Sequence, residues 1–362
     1  VSRTLTLIGR AAVLPLVLLL SGCNMVVLAP SGDVAVQQRD LILVSTVLML
    51  VIIIPVIVLT LLFAFAYRQS NTEADYDPDW HHSTRLEVVI WSAPLMIIIM
   101  LGAVTWISTH KLDPFRQLDR IHQDKPLALG VKPLTVQVVA LDWKWLFFYP
   151  GEGIATVNEL AAPVDTPINF EITSSNVMNS FFVPALAGQI YAMPGMQTQL
   201  HAVINHPGEF EGFSANYSGA GFSQMRFKFH GLSAEDFGHW AQKVKSDGTA
   251  LGRSEYAALA KPSIDDPVRH FSTVEDGLFN AILNMCAEPG KMCMSEMMHI
   301  DRTGGAGKES QENRERLIYD SRDADGHVMP AGGEAGGAKS QDHSMPGMGT
   351  NDGSPAPAQP AK

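Results

Sequence analysis

LILVSTVLMLVIIIPVIVLTLLFAFAY, from Leu41 to Tyr67, is 27 residues without a charge, set between Asp40 and Arg68. About 20 apolar residues are enough to carry a helix through the hydrocarbon core of a bilayer, so the run reads as a transmembrane helix over 41–67. A second run, Val88 to Thr109, supplies 22 uncharged residues between Glu87 and His110. It reads as a second helix over 88–109, about 33 Å long at about 1.5 Å per residue. Core helices of soluble proteins are rarely this long and this pure. Pro55 and Pro94 fall inside the two runs, where membrane helices tolerate them. The composition agrees: 17% of the 362 residues are charged, against about 25% in soluble domains.

Upstream, Arg3 and Arg10 precede an apolar stretch, Ala11 to Leu20, that ends in Leu20-Ser21-Gly22-Cys23. A basic start and a short apolar core form a secretory signal, here residues 1–22. The Leu-Ser-Gly-Cys ending resembles the lipobox of bacterial lipoproteins, which implies an acylated Cys23 at the mature N-terminus. The alternative is a signal anchor whose cysteine is incidental. Removing residues 1–22 takes the formal charge from −11 to −13. Nothing in that balance resembles the basic footprint of a nucleic-acid binder. Three cysteines are too few for a disulfide framework or an iron–sulfur protein.

Lysine and arginine counts do not orient the two spans. The loop from Arg68 to Arg85 has two arginines beside Glu73, Asp75, Asp77 and Asp79, and Lys111 and Arg116 follow the second span. Parity does orient them. A lipid-anchored Cys23 puts residues 23–40 in the periplasm, the 68–87 loop in the cytoplasm, and everything after His110 outside again.

The outer part changes period. Met225-Arg226-Phe227-Lys228-Phe229-His230 alternates apolar and polar, and Thr198 to Ile204 approaches the same pattern. With Pro150-Gly151, Pro194-Gly195 and Pro207-Gly208 between short strands, residues 126–232 read as a compact β-sandwich. Residues 233–300 read as a helical extension. The Gly/Pro/Ala-rich stretch 301–362, with Tyr319 its only aromatic, reads as a disordered tail.

Two spans followed by an outer sandwich resemble subunit II of the haem–copper respiratory oxidases. The resemblance runs from about Cys23 to Met298. Leu86 to Pro94 is similar to the start of the family's second transmembrane helix, and Asp142-Trp143-Lys144-Trp145 to its aromatic strand. Asn176 to Phe181 and Gly212 to Gly219 are similar to its two copper-binding stretches. It implies a cupredoxin-like fold. In the cytochrome c-oxidising members, that fold holds a binuclear copper centre through His, Cys, Glu, Cys, His and Met. Here the corresponding positions are Asn179, Ser214, Asn216, Ser218, Phe222 and Met225. Such a centre needs bridging thiolates and imidazoles, which serine, asparagine and phenylalanine cannot replace. Met225 alone is left, and it reads as a core residue on an alternating strand.

The resemblance therefore lies nearest the quinol-oxidising branch, with Phe181 to Pro184 and Gln189 to Met193 also similar to it. It implies no redox cofactor in this chain and no cytochrome c as partner. It implies haems and copper in a partner subunit I, smaller subunits III and IV, and membrane lipid around the spans. It also makes Glu87 a candidate for the mouth of a proton-uptake path; the alternative is a carboxylate that favours the helix dipole. Trp143, with no metal behind it, reads as a packed aromatic. A rival reading draws on Met285, Cys286, Met292, Cys293, Met294, Met297, Met298, His299, His343 and Met345, a soft-ligand set suited to a membrane-tethered periplasmic copper carrier. Cys286 and Cys293 flank Glu288-Pro289-Gly290, and a disulfide or two thiols are both open there.

Overall fold

A computed structural model describes residues 25–75, 79–128 and 130–302. The signal sequence, Cys23, the tail beyond Arg302, and with it His343 and Met345, lie outside the described residues.

Two long helices come first: α1 (Asp33–Ala66) and α2 (Thr84–Lys111). Their most apolar windows have mean hydropathies of 3.2 and 2.3, and no residue of either window is buried inside the protein. Large aliphatic side chains are exposed all round, as lipid-facing helices require. Both helices run continuously through Pro55 and Pro94.

Helix α1 begins eight residues before the uncharged run, inside the segment read as a 23–40 lead-in. Its first turns are seated on the domain that follows the two helices. Asp33 and Ala35 are buried, and Asp33 accepts from Arg120 Nε and Gln37 Nε2, each at 2.8 Å. The amides of Ser31 and Gly32 donate to the Ala185 carbonyl. A Cβ on Gly32 would lie 2.5 Å from the Leu186 carbonyl oxygen, so only glycine fits there.

The outer domain opens with a small ladder, β1 (Arg120–His122) with β2 (Lys125–Pro126). Its strands are β3 (Leu134–Leu141), β4 (Lys144–Tyr149), β5 (Ile154–Val157), β6 (Glu159–Pro163), β7 (Pro167–Ser174), β8 (Asn179–Phe182), β9 (Ile190–Ala192), β10 (Thr198–Val203), β11 (Gly208–Ser214) and β12 (Arg226–Leu232). After α3 (Ala234–Asp247) come β13 (Thr249–Leu251), α4 (Arg253–Leu259), β14 (Arg269–Val274), α5 (Leu278–Leu283) and α6 (Met294–Arg302). One sheet has the order β10-β7-β3-β4-β5-β14-β13 and faces a second of order β6-β12-β11-β8-β9. Between them Trp145, Phe147, Phe170, Phe181, Met225, Phe227 and Phe229 fill the core. Phe181 and Phe227 stack at 5.4 Å.

The extension read as helical holds its helices and adds two strands. β14 pairs antiparallel with β5, and β13 runs parallel to β14. This segment lays a second core on the outer face of the large sheet, where Leu146 and Phe148 meet Tyr256, Leu259, Leu278 and Phe279. Every residue of β4 is therefore buried. Trp145, Phe147 and Tyr149 face the sandwich, and Leu146 and Phe148 face the extension. The aromatic stretch also divides: Trp143 lies in the turn before β4 with φ +65°, rather than in the strand.

Candidate functional site

The copper positions converge where β8, β11 and the loop before β12 meet. Asn179 opens β8 and Ser214 ends β11, on neighbouring antiparallel strands. Both are buried. The Ser214 hydroxyl lies 3.1 Å from Asn179 Oδ1, to which it donates, and 3.4 Å from the Ser180 amide, from which it accepts. Asn179 Nδ2 donates to the Val177 carbonyl at 3.1 Å, and Asn216 Nδ2 to the Met178 carbonyl at 3.2 Å.

The loop between them is closed by aromatic contacts. Trp143 Nε1 donates to the Ser218 carbonyl at 3.0 Å. A Cβ on Gly221 would fall 2.5 Å from the Trp143 ring, so that glycine lets the indole lie flat on the loop. Phe222 meets Tyr217 edge to face at 5.7 Å. Met225 is fully buried in the sandwich core. The donor set is thus two amides, two hydroxyls, a ring without a ligand atom and one buried thioether. It does not fit a binuclear copper centre, whose bridges must be soft anions. Asn179 and Ser214 satisfy each other and the two amide nitrogens reach backbone carbonyls, while the buried Ser218 hydroxyl has no partner.

Glu87 sits in the first turn of α2. Its Oε1 is 2.8 Å from His82 Nδ1, and a carboxylate in the first turn also favours the helix dipole. Both side chains are about half exposed. The residue types alone gave no sign of this partner, which lies five positions back across a helix start.

The soft-ligand set is only partly assembled. Cys286 and Cys293 are joined as a disulfide, so neither presents a thiolate. The sulfurs of Met285 and Met294 lie beside Gly195, while Met298 is exposed on α6. Among the described residues no group of three or more His, Cys, Asp or Glu side chains is placed to hold a metal ion.

Residues 150–231 match the family described as cytochrome c oxidase subunit II, periplasmic domain, and residues 245–290 match the COX aromatic rich motif. The second match coincides with most of the segment that builds the outer core. Cytochrome bo(3) ubiquinol oxidase subunit 2 of Pseudomonas aeruginosa is 54% identical over 266 residues, covering 74% of this chain and 78% of that protein. The protein of the same name from Pseudomonas putida is 53% identical, covering 74% of this chain and 82% of its own length. Ubiquinol oxidase subunit 2 of Acetobacter aceti is 50% identical, covering 78% of this chain and 89% of that protein.

Proposed function

Because the chain belongs to the family of ubiquinol oxidase subunit 2, we propose that it is the subunit II of a proton-translocating quinol oxidase of the bacterial inner membrane, without a redox centre of its own. The observation that carries this reading is the closed, neutral set at the copper positions, above all the buried Asn179–Ser214 pair. A chain built this way has no means of relaying electrons from cytochrome c. Its work is structural: it holds a partner subunit I that contains the haems, the catalytic copper and the quinol site, alongside smaller subunits III and IV.

The two apolar helices lie in the membrane, and the sandwich stands in the periplasm. Cys23 carries the lipid anchor once residues 1–22 are removed. Because two spanning helices already fix the chain, this anchor is dispensable for membrane retention. Intact mass of the assembled subunit tests that point, and an uncleaved, unmodified N-terminus refutes it.

Glu87 forms the cytoplasmic mouth of a proton-uptake path leading into subunit I. A carboxylate at a membrane boundary is costly against lipid, so it faces water or the partner. Its carboxylate is about half exposed, open to water as an entry group must be. Purification from membranes tests the complex: haem and copper accompany the chain in a partner, and are absent from the chain alone. Glu87→Ala slows quinol-supported turnover with haem content intact, and Glu87→Asp retains more activity. Wild-type turnover by a fully assembled Glu87→Ala oxidase refutes the uptake role.

A further inference from the structure

We propose that the cavity where the two long helices meet the outer domain binds the headgroup of one zwitterionic phospholipid of the periplasmic leaflet. The inference rests on the membrane placement of α1 and α2 proposed above.

The cavity has a volume of about 420 Å³. Val34, Gln37 and Gln38 of α1 line one side, and Lys111, the last residue of α2, another. Most of residues 112–120, the Gly188–Gln189 turn and His201 of β10 complete it. Its height along the helices is fixed by the sequence. Gln38 stands three residues before the uncharged run of α1, and Lys111 two residues after that of α2. At about 1.5 Å per residue, both lie within about 5 Å of the hydrocarbon edge. The polar layer of a bilayer adds about 5–7 Å on each side, so the cavity opens among the headgroups.

The lining changes character with depth. Residues four apart share a helix face, so Ile42 lies one turn below Gln38 on α1, and Ile107 one turn below Lys111 on α2. Both isoleucines are exposed. A polar recess that continues into apolar surface on both helices matches an amphipathic ligand, with its headgroup in the recess and its acyl chains against the helices.

The charges select the headgroup. Lys111, Arg116 and Arg120 line the recess together with Asp33, Asp113 and Asp119. Arg120 is committed to the buried Asp33 at 2.8 Å. Arg116 holds Asp119 at 2.8 Å, but both are exposed, and such a pair yields to a phosphate at little cost. Burial pushes His201 below its ordinary pKa, so it adds no cation near neutrality. Three cations against three carboxylates suit a ligand that carries one charge of each sign. Lys111 and Arg116 take the phosphate through charge-assisted hydrogen bonds. Asp113 takes the ammonium: its Oδ1 accepts from the Phe115 amide at 2.9 Å, which leaves Oδ2 to the ligand.

Gly188 keeps the recess open. A Cβ there would lie 2.6 Å from Gln38 Nε2, so the glycine lets that amide lie back against the wall.

The test uses the assembled oxidase, extracted in detergent, stripped of phospholipid and titrated with phosphatidylethanolamine, phosphatidylglycerol or inorganic phosphate. Hydrogen exchange of residues 111–120 reads occupancy, and haem content shows that each variant is intact. Phosphatidylethanolamine is expected to protect the segment in wild type. Lys111→Gln and Arg116→Gln should each raise the concentration needed about tenfold, the worth of one hydrogen bond to a charged group. Gly188→Ala, which drives Gln38 into the recess, should weaken binding with both cations still present. Unchanged midpoints in the two charge variants overturn the site. Equal protection by phosphatidylglycerol overturns the zwitterionic headgroup, and equal protection by inorganic phosphate overturns the lipid in favour of a free anion. Release of the chain from membranes by alkaline carbonate without detergent overturns the membrane placement itself. A failed titration with a chain that still requires detergent overturns the headgroup site alone.

Discussion

At the copper positions Asn179 and Ser214 are buried and neutral, whereas at the start of β4 the side chains of Lys144 and Asp266 are just as buried and oppositely charged. Lys144 Nζ donates to the carbonyls of Leu259 and Lys261 at 2.9 and 2.8 Å and lies 3.4 Å from Asp266 Oδ2. Asp266 in turn pairs with Arg269 at 2.6 Å and accepts from Ser263. The neutral site closes a gap within one sheet. The charged site ties the C-terminal extension onto the sandwich. A buried amide–hydroxyl pair loses modestly when one member goes, but a buried lysine that holds two carbonyls and a carboxylate takes several partners with it. The chain therefore concentrates its vulnerability at the clasp.

The largest effect should come from Lys144→Met. Removing Lys144 leaves the Leu259 and Lys261 carbonyls without their donor and Asp266 with Arg269 as its one remaining cation, an expected cost of about 3 kcal/mol. Thermal unfolding of the solubilised complex would register it, with faster proteolysis across residues 245–290. Lys144→Met combined with Asp266→Asn should regain much of that loss. If Lys144→Met is as mild as Ser214→Ala, the contrast between the two sites is wrong.

Acid probes the same clasp. Burial opposes ionisation of Asp266, but the bonds from Ser263 and Arg269 and the charges of Arg269 and Lys144 outweigh it and hold the carboxyl below its ordinary 3.8. A depressed carboxyl contributes stability that is present above the unfolded value and lost as pH falls through the folded one. Protection of the extension from hydrogen exchange should thus persist at mildly acid pH and fail only below about 3.8. Lys144 works in the other direction. Burial, partly offset by Asp266, lowers its pKa below 10.5, so its contribution improves as pH rises from the lowered value toward 10.5.

Replacing Cys286 and Cys293 together by serine is expected to cost about 2 kcal/mol for so short a loop, read as faster exchange in α5 and α6. Ser214→Ala should cost about 1–2 kcal/mol, because Asn179 Oδ1 loses its donor. Arg226→Ala, which removes an exposed pair with Glu211, should change the unfolding temperature least, within about 0.5 kcal/mol.

What the sequence made legible follows the length of each pattern. The two spans and the alternation of β12 are long enough to be read directly. The loss of the copper ligands was legible too, residue by residue, because a ligand is a matter of side-chain identity. β14 was not, since only Phe271 of its six residues is buried and no period appears. β4 shows no period for the opposite reason. Lys144-Trp145-Leu146-Phe147-Phe148-Tyr149 has no polar face because both of its faces are covered. The charged clasp joins residues 122 positions apart, and the His82–Glu87 contact spans a helix start, so neither obeys a local spacing rule.

The place of β14 in the large sheet sets an order of events in the making of the protein. Arg269 follows its partner Val157 by 112 residues, a delay of about 6–20 s at ordinary synthesis rates of about 5–20 residues per second. During that interval the outer edge of β5 has no partner, and Leu146 and Phe148 have no cover. An open strand edge invites pairing with other chains. The newborn domain therefore passes through a sticky stage that ends only when its last strands arrive, and a truncation before Arg269 would hold it there permanently.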